Sequence, residues 1–219
     1  MDIVEFWTIC SANGIVLSKE QIRQIERYRD ELVYWNEKVN LISRKDVENV
    51  LENHILHSLS VLKYVNLPLK SRCLDLGTGG GLPGIPVSIA NPEARMLLVD
   101  SIGKKIKITD MLAKHTGNKY IKAMNARVED LANKKEYNSY FDFVFARAVS
   151  DAEQIVRWTK NLLKQNGKIV LFKGGDLSEE IEKLKKSFPK IIIKEQIISL
   201  IGYDKFEKEE KKLLVCSFS

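Results

Sequence analysis

Residues 73–84 read Cys73-Leu74-Asp75-Leu76-Gly77-Thr78-Gly79-Gly80-Gly81-Leu82-Pro83-Gly84, a short apolar strand running into a loop with five glycines in eight positions. The next stretch, Ile85-Pro86-Val87-Ser88-Ile89-Ala90, reads as a helix with proline in its first turn. Glycine permits positive φ and lets a ligand press against bare backbone, and a helix N-terminus presents unpaired N–H groups. Strand, glycine loop and helix together form a socket for a nucleotide-like cofactor, with Gly77, Gly79 and Leu82 as candidate contacts. The spacing from Gly77 is G-x-G-x-G, and leucine stands at 82 where a dinucleotide fingerprint wants glycine. No Gly-Lys-Ser/Thr follows, so the loop is not a P-loop either. The second strand, Arg95-Met96-Leu97-Leu98-Val99-Asp100, ends in a carboxylate placed to accept from both ribose hydroxyls. Nothing in the stretch clamps a pyrophosphate, and a nucleoside without phosphates, S-adenosylmethionine, fits best.

The 219 residues carry 44% hydrophobic and 29% charged side chains, the composition of a soluble globular protein with room for one large or two small domains. No apolar run approaches membrane-spanning length. The acidic start, Met1-Asp2-Ile3-Val4-Glu5, lacks the order of a signal peptide, which makes a cytoplasmic protein the default. Cys10, Cys73 and Cys216 are scattered, and no C-x-x-C pair or His/Cys cluster suggests a metal. The net charge of +6 is uneven: residues 1–65 hold 8 Lys+Arg against 10 Asp+Glu, and residues 66–219 hold 27 against 19. The cofactor region is therefore the basic one, which favours a polyanionic partner, nucleic acid first. A lysine-rich solvated face has the same composition.

Residues 1–68 read as a small helical region. Phe6, Trp7 and Ile9 form one face of a short helix that Gly14 breaks, and Ser18 with Gln21 makes a capping box for a second helix through Lys38. Asp46 is expected to cap a third helix over 47–65, and Pro68 ends the region. From residue 69 the pattern alternates. Strands are expected at 72–76, 95–100, 119–124, 141–146, 167–173, 190–199 and 211–218, with helices at 83–91, 103–116, 151–165 and 178–188. Such alternation means an α/β fold, a mostly parallel seven-stranded sheet covered by helices on both faces, with a final pair of strands able to form an antiparallel hairpin. The charged run from Lys205 to Lys212 reads as a solvated loop.

Ligands in such sheets bind beyond the carboxyl ends of the strands. The loops expected there bring Asp100 and Ser101, then Arg127-Val128-Glu129, where a carboxylate can take the adenine amino group and a backbone N–H its N1, then Arg147, then Lys173. Arg147 follows the apolar run Phe141, Phe143, Val144, Phe145, where a charge is expensive unless partnered. His54, His57 and His115 each stand alone, and packing or surface placement is the ordinary reading of each.

The stretch from Asp75 to Pro86, ending Pro83-Gly84-Ile85-Pro86, closely resembles the glycine motif of the bacterial small-subunit ribosomal RNA guanine-N7 methyltransferases, formerly called glucose-inhibited division protein B. Trp35-Asn36 with Asn40-Leu41, Asp100-Ser101 with Gly103-Lys104-Lys105, Arg127-Val128-Glu129, Ala146-Arg147-Ala148 and Leu171-Phe172-Lys173-Gly174 extend the resemblance over most of the chain. It implies a Rossmann-like class I methyltransferase fold, S-adenosylmethionine as cofactor, and a guanosine in the decoding region of 16S rRNA, within a small-subunit particle, as substrate. It implies cofactor contacts at Gly77, Leu82, Asp100, Val128, Glu129 and Arg147. Arg147 is the expected catalytic residue, orienting cofactor and base, and Lys104, Arg127 and Lys173 are expected to touch RNA. The working expectation is a monomer with no metal and no membrane contact. Two departures stand out: the family's His-x-x-Asp-Ser reads His54-Ile55-Leu56-His57-Ser58, and its Lys-Arg reads Lys104-Lys105. Guanine N7 carries a free lone pair, so no general base is required, in keeping with the absence of an obvious one. The competing readings are a methyltransferase with another substrate, an NAD-dependent oxidoreductase, and an RNA-binding assembly factor that has lost catalysis.

Overall fold

The computed structural model describes residues 1–218. Helix α1 (Ile3–Ala12) begins at Asp2, whose carboxylate accepts the Glu5 N–H at 2.8 Å, and ends before Gly14. α2 (Lys19–Asn36) opens on the expected capping box: Ser18 Oγ accepts from the Gln21 N–H at 3.2 Å, and Gln21 Oε1 accepts from the Ser18 N–H at 2.8 Å. Ile22, Ile25, Tyr28 and Leu32 form its buried face, at the three- and four-residue spacing of one helical stripe.

The single helix expected over 47–65 is not there. The stretch is a 3₁₀ turn (Arg44–Asn49), a π turn (Leu51–Leu56) and two short α segments, α3 (His57–Leu59) and α4 (Val61–Tyr64). Asp46 caps nothing: Ser43 Oγ accepts the Lys45 N–H at 3.4 Å, while the Asp46 carboxylate accepts from Asn53 Nδ2 at 3.0 Å. The π turn adds a residue to the helical repeat. The apolar residues Leu51, Ile55, Leu56 and Leu59 stay in the core, and His54 and His57 are drawn inward with them.

Beyond residue 69 strands and helices alternate: β1 (Arg72–Leu76), α5 (Gly84–Ala90), β2 (Arg95–Asp100), α6 (Gly103–His115), β3 (Ile121–Asn125), α7 (Val128–Ala132), β4 (Phe141–Arg147), α8 (Ala152–Thr159), β5 (Leu163–Gly174), α9 (Ser178–Ser187), β6 (Ile191–Ile197), α10 (Lys205–Lys208) and β7 (Lys211–Phe218). The seven strands form one sheet in the order β3-β2-β1-β4-β5-β7-β6. β7 alone runs against its neighbours, pairing antiparallel with both β5 and β6, so the expected hairpin of the last two strands is present. Side chains alternate between two buried faces, as a strand's period of two requires. Phe143 and Phe145 pack with the N-terminal helices on one side, and Val144 and Ala146 pack toward α8 and α9 on the other.

Three local expectations fail for tertiary reasons. The helix placed over 151–165 stops at Thr159, because Leu163 already pairs with Phe141 as the first residue of β5. The loop after β3 holds the short helix α7. The charged run 205–212 is not a solvated loop: Phe206 in α10 is buried against His57 and Tyr203, and Lys212 lies in β7 with its ammonium on Glu195 at 2.8 Å. All three cysteines are free and buried, and burial pushes the Cys10 and Cys216 thiols up to about 12.

The helical region shares one apolar core with the sheet, and it also reaches the glycine loop and α5 by hydrogen bonds. Tyr28 Oη donates to Gly80 O at 2.9 Å, and Gln21 Nε2 donates to Ile89 O at 2.6 Å. At the end of α2, the buried Asn36 side chain accepts the N–H groups of Leu41 and Ile42 at 2.7 and 2.9 Å, folding residues 40–43 back over the loop. An Asn36→Ala substitution orphans both donors and is expected to lower unfolding free energy by about 2–3 kcal/mol, with an unchanged denaturant slope. Urea unfolding that superimposes on the wild type would remove this turn from the account of the fold.

Candidate active site

The carboxyl ends of β1, β2, β3 and β4 meet where parallel sheets of this kind bind ligands. Gly77 leaves β1 with a φ of 65°, and a Cβ there would lie 2.5 Å from Val149 of the loop after β4. Gly84 faces the sheet so closely that a Cβ would come within 2.7 Å of Asp75 Oδ2. The peptide bond between Leu82 and Pro83 is cis.

Asp75 is fully buried in β1. Its Oδ2 accepts from Thr78 Oγ1 at 2.6 Å and from the Gly84 N–H at 2.9 Å, while Oδ1 has no partner. Burial pushes its carboxyl up to about 7, against the pull of those two donors and of the Arg147 charge. Asp100 closes β2 and is 8% exposed. Its Oδ2 accepts the Gly79 N–H at 3.0 Å and its Oδ1 the Ile102 N–H at 2.9 Å. A carboxylate offers about four acceptor directions, so two remain for further donors. Thr109 Oγ1 of α6 donates to Gly79 O at 2.5 Å and fixes the loop from the other side.

Two cavities meet at Gly77 and Asp100. One, of about 230 Å³, is lined by Val99, Ser101, Arg127, Val128, Glu129 and Trp158. The other, of about 500 Å³, runs under residues 40–43 and past Leu82, Lys105 and Arg147. The sequence readings at Gly77, Gly79, Leu82, Asp100, Val128, Glu129, Arg127 and Arg147 are thus brought to one crevice. α7 has no side-chain cap, which leaves the N–H groups of Val128 and Glu129 open, while that of Asp130 donates to Arg127 O at 3.1 Å.

Arg147 lines the larger cavity and a third one of about 370 Å³ beyond it. Its guanidinium donates to His54 O at 3.2 Å and touches His54 Nδ1. An arginine only donates, so Nδ1 is the acceptor and the imidazole proton sits on Nε2. Burial and the Arg147 charge hold His54 down to about 4, and the ring is neutral at physiological pH. Burial pulls the guanidinium below its ordinary value, and the Tyr28 and Asp75 side chains oppose that. It makes no ion pair among the described residues: the neighbouring carboxylates are committed elsewhere, Asp75 to Thr78 and Gly84, Asp46 to Asn53.

His57, where the family resemblance leads one to expect aspartate, is buried between Phe172 and Phe206, with ring centroids 5.2 and 5.1 Å away. Burial holds it neutral. Lys104 is exposed and lines neither cavity of the crevice, whereas its neighbour Lys105 does. Lys173 gives its ammonium to Glu180 at 2.6 Å and Ser150 O at 3.3 Å. Trp158, Asn40 and Lys105 also line the crevice; nothing local in the sequence marks Trp158, and Asn40 and Lys105 belong to the stretches that carry the family resemblance. His54 is neither surface nor plain packing, because it braces Arg147.

Bare glycine backbone and a half-satisfied buried carboxylate at Asp100 fit a nucleoside cofactor. They leave no cradle for a diphosphate. This architecture is that of the class I S-adenosylmethionine-dependent methyltransferases. Archaeal fibrillarin from Aeropyrum pernix, solved with natively bound S-adenosyl-L-methionine, superposes with a TM-score of 0.53 over 72% of each chain at 16% identity. The [4+2]-cyclase SpnF superposes with a TM-score of 0.57 over 75% of this chain and 80% of that one at 14% identity, so the fold alone does not name a reaction. The family model for rRNA small subunit methyltransferase G (GidB) matches residues 21–206, and the chain belongs to this family. The ribosomal RNA small subunit methyltransferases G of Christiangramia forsetii and Chlorobium phaeobacteroides are 41% and 39% identical to it, over 76% and 87% of this chain and 79% and 86% of theirs.

Asp75 supplies a pH signature. A carboxyl with a folded pKa near 7 holds more protons in the native than in the unfolded state between about pH 4 and 7, so its contribution to stability falls as pH rises through that window. Asp75→Asn removes that slope. Denaturant unfolding at several pH values should show the variant gaining on the wild type between about pH 4 and 7, and parallel curves would contradict a buried, raised carboxyl.

Proposed function

We infer that this chain is an S-adenosylmethionine-dependent methyltransferase of small-subunit ribosomal RNA, and that its acceptor is N7 of a guanosine in the decoding region of 16S rRNA. The carrying observation is the pair of cavities joined at Gly77 and Asp100, with the unpaired Arg147 guanidinium facing the larger one. Membership of the rRNA small subunit methyltransferase G family supports the substrate. When bound, the cofactor supplies a methyl group on a cationic sulfur.

The protein's part is alignment and proximity. Asp100 is set to accept from the ribose hydroxyls with its two free acceptor directions. Val128 and Glu129 face an adenine from the smaller cavity, the first with backbone and the second with its carboxylate. Gly77, Gly79 and Leu82 give the bare wall that a nucleoside can lie against. Arg147, braced by His54, keeps donors free for an anionic or carbonyl group: the cofactor's carboxylate end or the guanine O6. A guanidinium bridging O6 and N7 would block the acceptor atom, so its contact must leave N7 open. N7 has no proton to lose, and the neutral His54 and sequestered Asp75 match a reaction that needs no general base. Arg127 and Lys105 at the crevice edge suit RNA phosphates. Lys104 is a more peripheral contact, and Lys173 serves RNA only by releasing Glu180.

Among the described residues, no helix is long and apolar enough to cross a membrane. The reading places the chain in the cytoplasm, acting as a monomer without a metal on rRNA within a small-subunit particle.

Labelled methyl incorporation into small-subunit rRNA, followed by mapping of the modified nucleotide, tests the whole reading. A label on another nucleotide would replace the proposed acceptor. Arg147→Ala is expected to abolish incorporation in a folded protein, and near-wild-type turnover would eliminate its role. Asp100→Ala is expected to weaken S-adenosylhomocysteine binding by roughly 10- to 100-fold, the range for losing hydrogen bonds to a charged group. Unchanged affinity by calorimetry would put the ribose elsewhere.

A further inference from the structure

The sheet has a second basic end. At the amino ends of β1 to β4, roughly 16 Å from the glycine loop at about 3.3 Å per strand residue, a cavity of about 340 Å³ is lined by Arg72, Arg95, Lys119 and Lys122 together with Tyr120, Tyr137 and Tyr140. Strand register assembles it. Arg72 stands opposite Arg95 across β1 and β2, and Met96 pairs with Ile121, which sets Arg95 beside the Tyr120–Lys122 segment.

The lining holds four cations and no carboxylate. None of the four makes an ion pair among the described residues. Of the acids beside the lining in sequence, Glu136 precedes Tyr137 and is exposed, and Asp142 is taken by Lys164 Nζ at 2.7 and 2.8 Å and by the Arg72 backbone N–H at 2.7 Å. Glu93 lies in the adjoining cavity, with Lys119 and Tyr120 between. The Arg72 guanidinium sits 4.3 Å over the Tyr140 ring, and Lys119 sits 5.1 Å over Tyr120. Tyr140 is held edge-on by Tyr137 at 5.7 Å, and Tyr137 stacks on Phe141 at 5.8 Å. The wall is therefore aromatic and cationic.

Uncommitted cations interleaved with planar aromatic faces match single-stranded nucleic acid, which offers phosphates to the charges and base faces to the rings. We propose that this cleft is a second RNA-docking surface that takes a single-stranded segment of the substrate rRNA. Phosphates lie on Arg95, Lys119 and Lys122, and a base lies against the Arg72–Tyr140 face. The inference rests on the rRNA substrate proposed above. It adds that one RNA contacts the protein at both ends of the sheet, with the methyl-accepting nucleotide at the carboxyl end.

The test is Arg95→Glu with Lys122→Glu, two exposed positions outside the catalytic crevice. Filter binding to a small-subunit rRNA transcript at about 0.1 M salt should weaken roughly tenfold or more, and the logarithmic salt slope should shrink by about 1.4, two single-strand phosphate contacts. S-adenosylhomocysteine affinity and thermal midpoint should not move. Lys190→Glu with Lys194→Glu, at exposed positions at and within the edge strand β6, removes the same charge and should change binding far less. Equal affinity of the cleft variant and wild type, or equal loss in both variants, overturns the proposal. So does duplex RNA competing as well as oligouridylate. Methyl transfer by the same preparations separates the two readings. Cleft-specific loss of binding without any wild-type methyl transfer sustains the cleft and fails the proposed activity. Transfer with unaltered binding by the cleft variant fails the cleft alone.

Discussion

Four glycines between 77 and 81 make a loop with little preference for any one shape, and the crevice exists because four other elements pin it. From β2, Asp100 accepts the Gly79 N–H at 3.0 Å. α2 sends Tyr28 to the Gly80 carbonyl at 2.9 Å, and α6 sends Thr109 to the Gly79 carbonyl at 2.5 Å. β1 itself reaches forward through Asp75 to Thr78 and Gly84. Each bond satisfies a backbone or side-chain group that would otherwise be stranded in a dry interior. The backbone is thereby held open toward the ligand without a side chain in the way.

The electrostatics follow from the same burial. Asp75 is fully buried and Arg147 partly so, yet they do not form an ion pair. Burial works against the charge on each: it raises the Asp75 carboxyl to about 7 and lowers the guanidinium. A partly buried cation with no carboxylate partner is costly by itself. The neutral His54, contributing its backbone carbonyl and ring nitrogen, offsets part of that cost and keeps the charge in place. The result is a fixed donor group with hydrogen bonds to spare at the point where β4 leaves the sheet.

Much of this was legible in residues. The seven strands, the capping box of α2, the glycine loop, Asp100 and Arg147 are carried by local patterns: alternating apolar runs, a serine three residues before a glutamine, and charge at the end of an apolar strand. Other parts were not. His54 reads as a lone histidine, nothing local marks Trp158, and Lys104 rather than Lys105 is the expected RNA contact. A π turn brings in the first, the packing of α8 against the sheet the second, and the rotation of α6 separates the last two. Asn36 carried a family signature without a reason, and the reason is the buried turn it builds over the crevice.

What the amino-acid order determined by itself was the alternating α/β pattern and the chemistry at each strand's carboxyl end, because strand periodicity, glycine freedom and chain direction are local properties. Only the tertiary structure decided which helix roofs the glycine loop, where the third expected helix breaks, which of two adjacent lysines lines the crevice, and that Arg72, Arg95, Lys119 and Lys122 gather at the far end of the sheet. Those outcomes depend on register and on contacts between residues far apart in sequence, and no window of neighbouring residues contains them.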